Sequence, residues 1–324
     1  MEKYSNNEKM YFLMFPGFDA LEKNNYRKKA FSLELVHKQI MATQKLIDNF
    51  KIKNIYLKEF MEGEVVDNRL YVKHMLLATL ATQVGLFKHY LTNGNKIDYL
   101  LGMSLGDVAR NTCSGALSFE NAVLGILKFS HHLMFMNQGV SALIILPKDI
   151  NICRDEELLK LKKYQLEVSV YQTSFQALIV GEKENIKNWQ EEIANELQIE
   201  VKNAYPYPLH SCLMDKVSFS FGKDINQSSY GKPAIPIYST IFVRSIDRTI
   251  DLINENIQNI NSSVKFCQTI DCISLKYPNA YMVNMGPSPL LNRFIERMRL
   301  ENKIDHSSYF EDALESNRFI ENFY

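Results

Sequence analysis

The first hundred residues alternate between short apolar runs and longer stretches in which apolar residues recur at helical spacing. Residues 10–15 read MYFLMF and are followed by Pro-Gly, which predicts a buried strand that leads into a loop. The stretches 26–50 and 72–91 carry apolar residues at every third or fourth position, which predicts helices. Residues 97–101, IDYLL, are bounded by turn residues and predict a strand that is buried on both faces.

The middle of the chain has the most regular pattern. Two helices are predicted first, one from Leu105 and one from Ser118, whose hydroxyl suits an N-cap, to about Met136. The predicted order is then strand, helix, strand, strand, helix, strand, at residues 142–146, 154–164, 166–172, 176–180, 184–197 and 199–204. This is the order of a ferredoxin-like unit, so we expect a small inserted α+β domain at residues 140–207.

The last third of the chain returns to a mixed α/β pattern. Its predicted elements are strands at residues 235–238 and 280–285, helices at 246–259 and 264–276, a further helix that ends near residue 300, and a tail at 301–324. The tail is polar with scattered aromatic residues, so we expect it to pack loosely on the outside.

Composition and charge narrow the classes of function. The 324 residues include 37 Lys and Arg against 37 Asp and Glu, and this balance argues against a nucleic-acid partner. Apolar residues make up 46%, enough for a large core, while no apolar run approaches the roughly 18 residues that span a bilayer. The polar N-terminus lacks a secretory segment, which predicts a cytoplasmic protein without a membrane partner. The five cysteines lack a CxxC pair, which argues against disulfides and structural zinc.

Residues 102–106 read GMSLG, the G-x-S-x-G pattern of a serine nucleophile, and stand between the predicted strand 97–101 and the next predicted helix. The two glycines suit a sharp strand-to-helix turn that strains the serine backbone and exposes the hydroxyl of Ser104. Backbone N–H groups at the following helix N-terminus can stabilise an oxyanion, which is worth about 2.7–4 kcal/mol per donor. The alternative is a tight turn with only a structural role.

A serine nucleophile needs a general base, and the chain has seven histidines. Five of them are weaker candidates for the base because of where they lie: His37, His89, His131 and His132 are in predicted helices, where a core or surface role is expected, and His306 is in the polar tail. His210 differs because it lies in the proline-bent loop 207–214, YPLHSCLM, which leaves the inserted unit and can overhang a cleft between two domains. The residues alone make His210 a candidate base among several.

Both of these motifs resemble those of one known family. Residues 102–122, GMSLGDVARNTCSGALSFENA, are similar to the nucleophile region of malonyl-CoA:acyl-carrier-protein transacylases and polyketide synthase acyltransferase domains, which reads GHSLGE and then GALSFEDA. Residues 209–214, LHSCLM, resemble the catalytic-histidine motif FHSPLM of that family. Further similarities follow in family order: FPG at 15–17, IPIYS at 235–239 and MGPSPL at 285–290. The chain is identified as a member of this family.

The resemblance implies a fold and a domain organisation. It implies an α/β fold in which a large α/β-hydrolase-like catalytic domain, residues 1–139 and 208–324, is interrupted by the ferredoxin-like domain of residues 140–207. The family's own insertion falls at the position where the pattern of strands and helices predicts one.

The same resemblance implies the roles of individual residues. Ser104 corresponds to the acyl-accepting nucleophile and His210 to its general base. The backbone N–H groups of Leu105 and Phe18 correspond to the oxyanion hole. A main-chain carbonyl of the loop 264–266 corresponds to the group that orients the histidine, so no triad acid is expected.

One departure from the family concerns substrate charge. Malonyl-accepting members carry an arginine 25 residues after the serine, where it pairs with the free carboxylate of malonyl. Here that residue is Phe129. The adjacent Lys128 is turned by about 100° around a helix and should point elsewhere. Because a buried carboxylate without a partner costs about 3–5 kcal/mol, we expect malonyl to be a poor substrate.

Other departures concern the expected acyl pocket, and most of them make it apolar. Its predicted lining residues are Met103, Phe129, Tyr207, Leu209 and Lys265. Near this pocket, Phe18 stands where the family has a glutamine. His74 lies one residue away, in the alignment, from the position of a second family glutamine that lines the pocket. Asp107 is expected to act as a helix N-terminal charge and Arg110 to be structural.

In lacking this arginine, the chain resembles a subgroup of the family, the free-standing acyl hydrolases of trans-acyltransferase polyketide pathways. These enzymes remove stalled acyl chains from carrier proteins. We therefore expect a serine enzyme that hydrolyses non-malonyl acyl thioesters of an acyl carrier protein. The phosphopantetheine arm belongs to that partner, so neither a cofactor nor a metal is expected. Two alternatives remain: an acyltransferase that passes the acyl group between CoA or carrier proteins, and a docking subunit without catalysis.

Overall fold

The computed structural model describes residues 8–134, 136, 138–147, 149–225, 227–298 and 303–321. Residues 1–7, on which part of the argument about a secretory segment rests, lie outside this range. The strands are β1 (Met10–Phe15), β2 (Tyr99–Gly102), β3 (Val140–Ile145), β4 (Glu167–Thr173), β5 (Gln176–Gly181), β6 (Glu200–Asn203), β7 (Ile237–Ser239), β8 (Arg244–Ile246), β9 (Ala280–Asn284) and β10 (Asp305–Ser308).

The helices alternate with these strands over most of the chain. They are α1 (Asn24–Phe31), α2 (Glu34–Asn49), α3 (Leu57–Met61), α4 (Asn68–Thr92), α5 (Gly106–Cys113), α6 (Phe119–Leu133), α7 (Asp155–Lys163), α8 (Lys183–Trp189), α9 (Asp215–Asp224), α10 (Thr249–Asn261), α11 (Phe266–Lys276), α12 (Leu290–Arg297) and α13 (Tyr309–Glu321). The predicted N-cap of α6 is confirmed, because the Ser118 hydroxyl accepts a hydrogen bond from the backbone N–H of Asn121 at 3.2 Å.

The large sheet has the order β10-β9-β1-β2-β7-β8, and only β8 is antiparallel to its neighbour. Strand β1 lies inside the sheet because residues 12–15, FLMF, can be buried on both faces, as expected for a parallel sheet. Its Phe15 is level with Gly102 of β2. The loops that follow these two strands therefore lie side by side at the carboxyl edge of the sheet.

Alternate side chains of β1 enter two different cores. Leu13 and Phe15 pack with α2 and α4 on one face of the sheet, and Phe12 and Met14 pack with α11 and α12 on the other. By length and composition α4 is apolar enough to cross a membrane, but 78% of its most apolar window is buried inside the protein. Burial against the sheet explains this composition.

Residues 140–203 form a separate four-stranded antiparallel sheet with the order β4-β5-β3-β6, covered by α7 and α8. The predicted strand and helix order of a ferredoxin-like unit is confirmed. The division of the chain at residues 139/140 and 207/208 stays a prediction.

Two expectations about the fold are wrong. The predicted helix at 26–50 is two helices, because Leu33 has an extended backbone (ψ 123°) that buries its side chain between α1 and α2. The tail does not pack loosely where it is described, since β10 extends the large sheet beside β9 and Phe310 is fully buried. The polar run DHSS at 305–308 has no apolar alternation, so the sequence gives no signal for this edge strand.

Candidate active site

Ser104 lies on a sharp turn between β2 and α5. Its φ is +57°, a left-handed conformation that is strained for a serine, as the motif predicts. A Cβ on Gly102 would lie 2.6 Å from the backbone nitrogen of Asp107, and one on Gly106 would lie 2.0 Å from the carbonyl oxygen of Phe15. Only glycine fits at these two positions, so the GMSLG sequence is what allows this turn.

The structure brings Ser104 and His210 together across 106 residues of sequence. The Oγ of Ser104 lies 2.7 Å from Nε2 of His210, within hydrogen-bond distance. His210 follows β6 in the loop before α9, is 7% exposed, and also has a left-handed backbone with φ +62°. This is the geometry that a hydroxyl nucleophile and its general base require.

The end of α10 orients the imidazole. The Nδ1 of His210 donates to the carbonyl oxygen of Asn259, and the backbone N–H of His210 donates to that of Ile260 at 2.9 Å. Both acceptors are among the last four carbonyls of the helix, which have no partner within it. The negative end of the helix dipole would also favour a positively charged imidazolium at this position.

The expectation that the loop 264–266 supplies this carbonyl is therefore wrong. The carbonyl of Val264 accepts instead from the backbone N–H of Tyr171 at 2.9 Å, and that of Lys265 accepts from Thr269 within α11. Both groups are already used in local structure.

We expect the acylation rate to be independent of pH from about pH 5.5 to 8. Burial lowers the pKa of His210 to about 4, against the opposing effect of the Asn259 carbonyl. Only the neutral ring accepts the serine proton, and above its pKa the ring stays neutral, whereas an ordinary histidine is half protonated near pH 6.5. Single-turnover acylation of Ser104 measures this profile.

A control variant distinguishes the titration of His210 from that of Asp19, a second titratable group in the same cavity. Asp19 lines the same cavity, and the Asp19→Asn variant removes its carboxyl. A rate that halves near pH 6.5 in both the native chain and this variant would contradict the low pKa of His210.

Two backbone donors are placed to form an oxyanion hole. Within the described residues, the N–H groups of Phe18 and Leu105 have no hydrogen-bond acceptor in the protein. The loop carrying Phe18 closely approaches the nucleophile, since a Cβ on Gly17 would lie 3.6 Å from Cβ of Ser104. The buried side chain of Gln83 donates to the carbonyl oxygen of Pro16 at 2.6 Å and holds this loop. The predicted pair of donors stays a prediction that this geometry supports.

A cavity of about 680 Å³ is lined by Ser104 and His210. Of the predicted pocket residues, Met103, Phe129, Tyr207 and Leu209 line it, as does Phe18. Lys265 does not, so this expectation is wrong: Lys265 is exposed at the start of α11. His74 is also elsewhere, with Nε2 accepting from the backbone N–H of Tyr56 at 3.0 Å.

Charged groups around the cavity are mostly acidic. Among the described residues no arginine lines it, and the charged lining residues are Asp19, Glu22, Asp224 and Lys128. Burial raises the pKa of Asp19 to about 6, so its carboxyl is ionised at neutral pH. The ammonium of Lys128 is exposed and donates to the carbonyl oxygen of Asp224 at 2.6 Å. Among the side chains that the structure describes, none in the cavity lining is an arginine that could pair with a carboxylate.

Behind the serine, a buried ion network joins α5 to α10. Arg110 has Nη1 2.7 Å from Oδ1 of Asp107 and Nη2 2.5 Å from Oε2 of Glu255, and the side chains of all three are at most 1% exposed. Asn259, whose carbonyl orients the histidine, donates through its side chain to the Asp107 carboxylate and to the carbonyl oxygen of Ser104 at 3.2 Å. Burial raises the pKa of Asp107, and Arg110 opposes this. The network thus ties the nucleophile turn to the helix end that orients the base.

The Arg110→Met variant should lose about 3–5 kcal/mol of unfolding free energy, because it leaves two buried carboxylates without their cation. Urea unfolding measures the loss. The matched control is Arg248→Met, since Arg248 forms a bidentate pair with Asp251 but is 67% exposed, and should cost at most about 1 kcal/mol. Equal losses in the two variants would contradict a special role for the buried network.

No group of three or more His, Cys, Asp or Glu side chains that could hold a metal occurs among the described residues. The site instead consists of a hydroxyl, an imidazole and backbone amides. These groups can form and discharge an ester on Ser104.

Comparisons with known sequences point to one family. The model of the acyl transferase domain matches residues 39–309. The chain is 24% identical over 236 residues to probable polyketide synthase 23 of Dictyostelium discoideum, covering 70% of this chain and 9% of that protein. It is 24% identical over 326 residues to probable polyketide synthase 25 of the same organism, covering 90% and 12%. The chain therefore spans about a tenth of the length of these relatives.

Solved structures share the fold. An acyl carrier protein S-malonyltransferase from Vibrio cholerae superposes with a TM-score of 0.78 at 16% identity, covering 92% of this chain and 96% of that one. A malonyl-transacylase in complex with a type II polyketide synthase acyl-carrier protein gives 0.80 at 17% identity, with coverage of 95% and 100%. The predicted α/β fold of this family is confirmed.

Proposed function

The chain belongs to the acyl transferase domain family, and from this we propose that it forms an acyl ester on Ser104 from an acyl-carrier-protein thioester in polyketide biosynthesis. The observation that carries the proposal is the 2.7 Å contact between Ser104 Oγ and His210 Nε2, both of which line a cavity of about 680 Å³. The solved complex of a transacylase with its carrier protein supports the choice of partner.

The proposed reaction has two halves. In the first, Oγ of Ser104 attacks the thioester carbonyl carbon and its proton moves to Nε2 of His210. The N–H groups of Phe18 and Leu105 stabilise the oxyanion, the C–S bond breaks, and the imidazolium protonates the thiolate. In the second half, His210 takes a proton from the acceptor, which attacks the ester carbonyl carbon. The bond between that carbon and Oγ of Ser104 then breaks, the imidazolium returns the proton to Oγ, and the free acid or the new thioester leaves.

We propose that the acyl group carries no charge. Phe129 stands where malonyl-accepting relatives have an arginine, and its ring packs edge-on against Phe221 with centroids 6.1 Å apart. The ionised Asp19 on the cavity wall would repel a second carboxylate. Both features disfavour malonyl, and the apolar lining favours a neutral acyl chain.

For the acceptor we propose water, which makes the enzyme an acyl-carrier-protein hydrolase that removes unwanted acyl groups. The resemblance to acyl hydrolases without the arginine supports this choice. A transferase that delivers the acyl group to a second thiol is the other candidate, because His210 can deprotonate either acceptor.

The test uses acetyl-, butyryl- and malonyl-loaded carrier protein, with mass spectrometry of the enzyme and of the products. We expect a mass increase on Ser104 with the neutral groups, release of free acid, and slower turnover of malonyl. Faster turnover of malonyl would overturn the proposed selectivity.

Adding unloaded carrier protein identifies the acceptor. A hydrolase leaves it unloaded, whereas a transferase acylates it. If neither these thioesters nor longer acyl chains acylate Ser104, the proposed enzyme activity is wrong and the docking subunit is the candidate that remains.

A further inference from the structure

The cavity in front of Ser104 is larger than a short acyl group needs. At about 680 Å³ it falls in the range of sites that enclose whole small-molecule ligands. Under the proposed function, part of this volume would hold the thioester arm. The remainder extends between α4, α6, α9 and α10, where Leu76, Ile126, Leu133 and Phe221 line it and are each at most 6% exposed.

The wall that α6 contributes has a gap. Ala122, Gly125 and Phe129 line the cavity from successive turns of this helix, at spacings of three and four residues. Apart from its two chain neighbours and the backbone of its own helix, a Cβ placed on Gly125 would meet no atom within 4 Å among the described residues. Glycine is unfavourable inside a helix, yet here nothing packs closely enough to require it. The missing side chain leaves open space along the cavity wall.

Three polar side chains that line the cavity are paired within the protein. The Asn256 side chain donates to the hydroxyl of Tyr230 at 2.6 Å, Ser141 donates to the carbonyl oxygen of Tyr207, and Ser169 to that of Leu178. An acyl chain with keto or hydroxyl groups would lose hydrogen bonds to water here, and the Ser141 and Ser169 hydroxyls already donate to carbonyl oxygens of the protein. A fully reduced chain has no such cost.

We propose that the substrate is a saturated acyl chain of medium length, about six to ten carbons, and that the open space at Gly125 is part of the channel that holds it. This inference rests on the proposed function, because the chain must be attached to Ser104 through its carbonyl carbon. It goes further by assigning chain length and oxidation state and by identifying a residue that determines specificity.

The inference predicts a rising series of rates. Burial of each additional methylene in an apolar site raises kcat/KM by about fourfold as long as the channel accommodates it. We therefore expect kcat/KM to rise from acetyl through butyryl and hexanoyl to octanoyl. The 3-keto and 3-hydroxy forms of the octanoyl chain should react more slowly than the reduced form.

The experiment compares acyl-pantetheine thioesters of these chains with the native enzyme and a series of variants. Gly125→Ala, Gly125→Leu and Gly125→Phe fill the gap in steps, and each replaces a helix glycine by a better helix former. The control is Gly231→Leu, because Gly231 also has no atom within 4 Å of a built Cβ but is exposed and outside the cavity lining. The readout is the ratio of kcat/KM for octanoyl to that for acetyl.

We expect this ratio to fall stepwise as the side chain at position 125 becomes larger. For leucine the fall should be at least about tenfold, because the side chain fills space that two or more methylenes of the acyl chain would occupy. The control should keep the native ratio. If native rates decline from butyryl to octanoyl while acetyl acylates Ser104, the inference is overturned and the proposed function stands. If no thioester acylates Ser104, both are wrong. Should Gly125→Leu not fold, the native series and Gly125→Ala still decide.

Discussion

The Ser104→Ala variant should form no acyl enzyme and should turn over thioesters at least about 10⁴-fold more slowly than the native chain. The reason is geometric, because Oγ of Ser104 is the hydroxyl positioned at 2.7 Å from the base. Intact-protein mass spectrometry after exposure to a neutral acyl thioester, together with release of free thiol, measures both effects. The control is Ser32→Ala, which removes an exposed hydroxyl outside the cavity lining.

His210→Ala should cause a similar loss, and the double variant should be little worse than either single one. Residues that act as one unit give strongly non-additive effects, because removal of either partner abolishes the same step. Additive losses would contradict the dyad. A native-like level of acylation in Ser104→Ala would show that another group is the nucleophile.

The nucleophile turn could be predicted from the sequence because its requirements are local. Gly102, Ser104 and Gly106 are neighbours in the chain, and the steric reasons for the two glycines act within one turn. The base could not be chosen from residue type alone, since its contact with the serine spans 106 residues. His210 was singled out by a proline-bent loop and by the resemblance of its motif.

The kind of group that orients His210, a main-chain carbonyl, was expected from the resemblance, but it was assigned to the loop 264–266 and not to Asn259. The side chain of Asn259 gives no signal for the role of its carbonyl, although the end of a predicted helix at residue 259 marks carbonyls without helical partners. Glu255 was missed for a different reason. Its pairing with Arg110 joins two helices 145 residues apart, and an acidic residue on a predicted helix is usually on the surface.

The absence of the malonyl-binding arginine was visible in the sequence, whereas the size of the cavity was not. Cavity shape depends on how α4, α6, α9 and α10 pack, and no local pattern encodes that packing. The open space at Gly125 could not be predicted either, because it results from the absence of a side chain. Single glycines in helices are common enough that the sequence does not distinguish this one.

Phe129→Arg should reverse the selectivity that we propose for uncharged acyl groups over malonyl. The phenyl ring of Phe129 lines the cavity and packs against Phe221. A guanidinium at this position can pair with the carboxylate of malonyl by two hydrogen bonds. If this pairing removes the penalty of about 3–5 kcal/mol for a buried unpaired carboxylate, the ratio of malonyl to butyryl turnover rises by about 100-fold to several thousand-fold.

A matched variant separates the charge from the change of shape. Phe129→Met removes the ring but adds no cation, so it should leave malonyl the poorer substrate. The arginine variant also buries a charge in an apolar wall, and it should be less stable than the methionine variant until an anion fills the site. Malonyl-pantetheine should therefore raise the Tm of Phe129→Arg and not that of Phe129→Met. If both variants keep the native preference for neutral groups, Asp19 rather than the missing arginine excludes malonyl, and Asp19→Asn should then raise malonyl turnover.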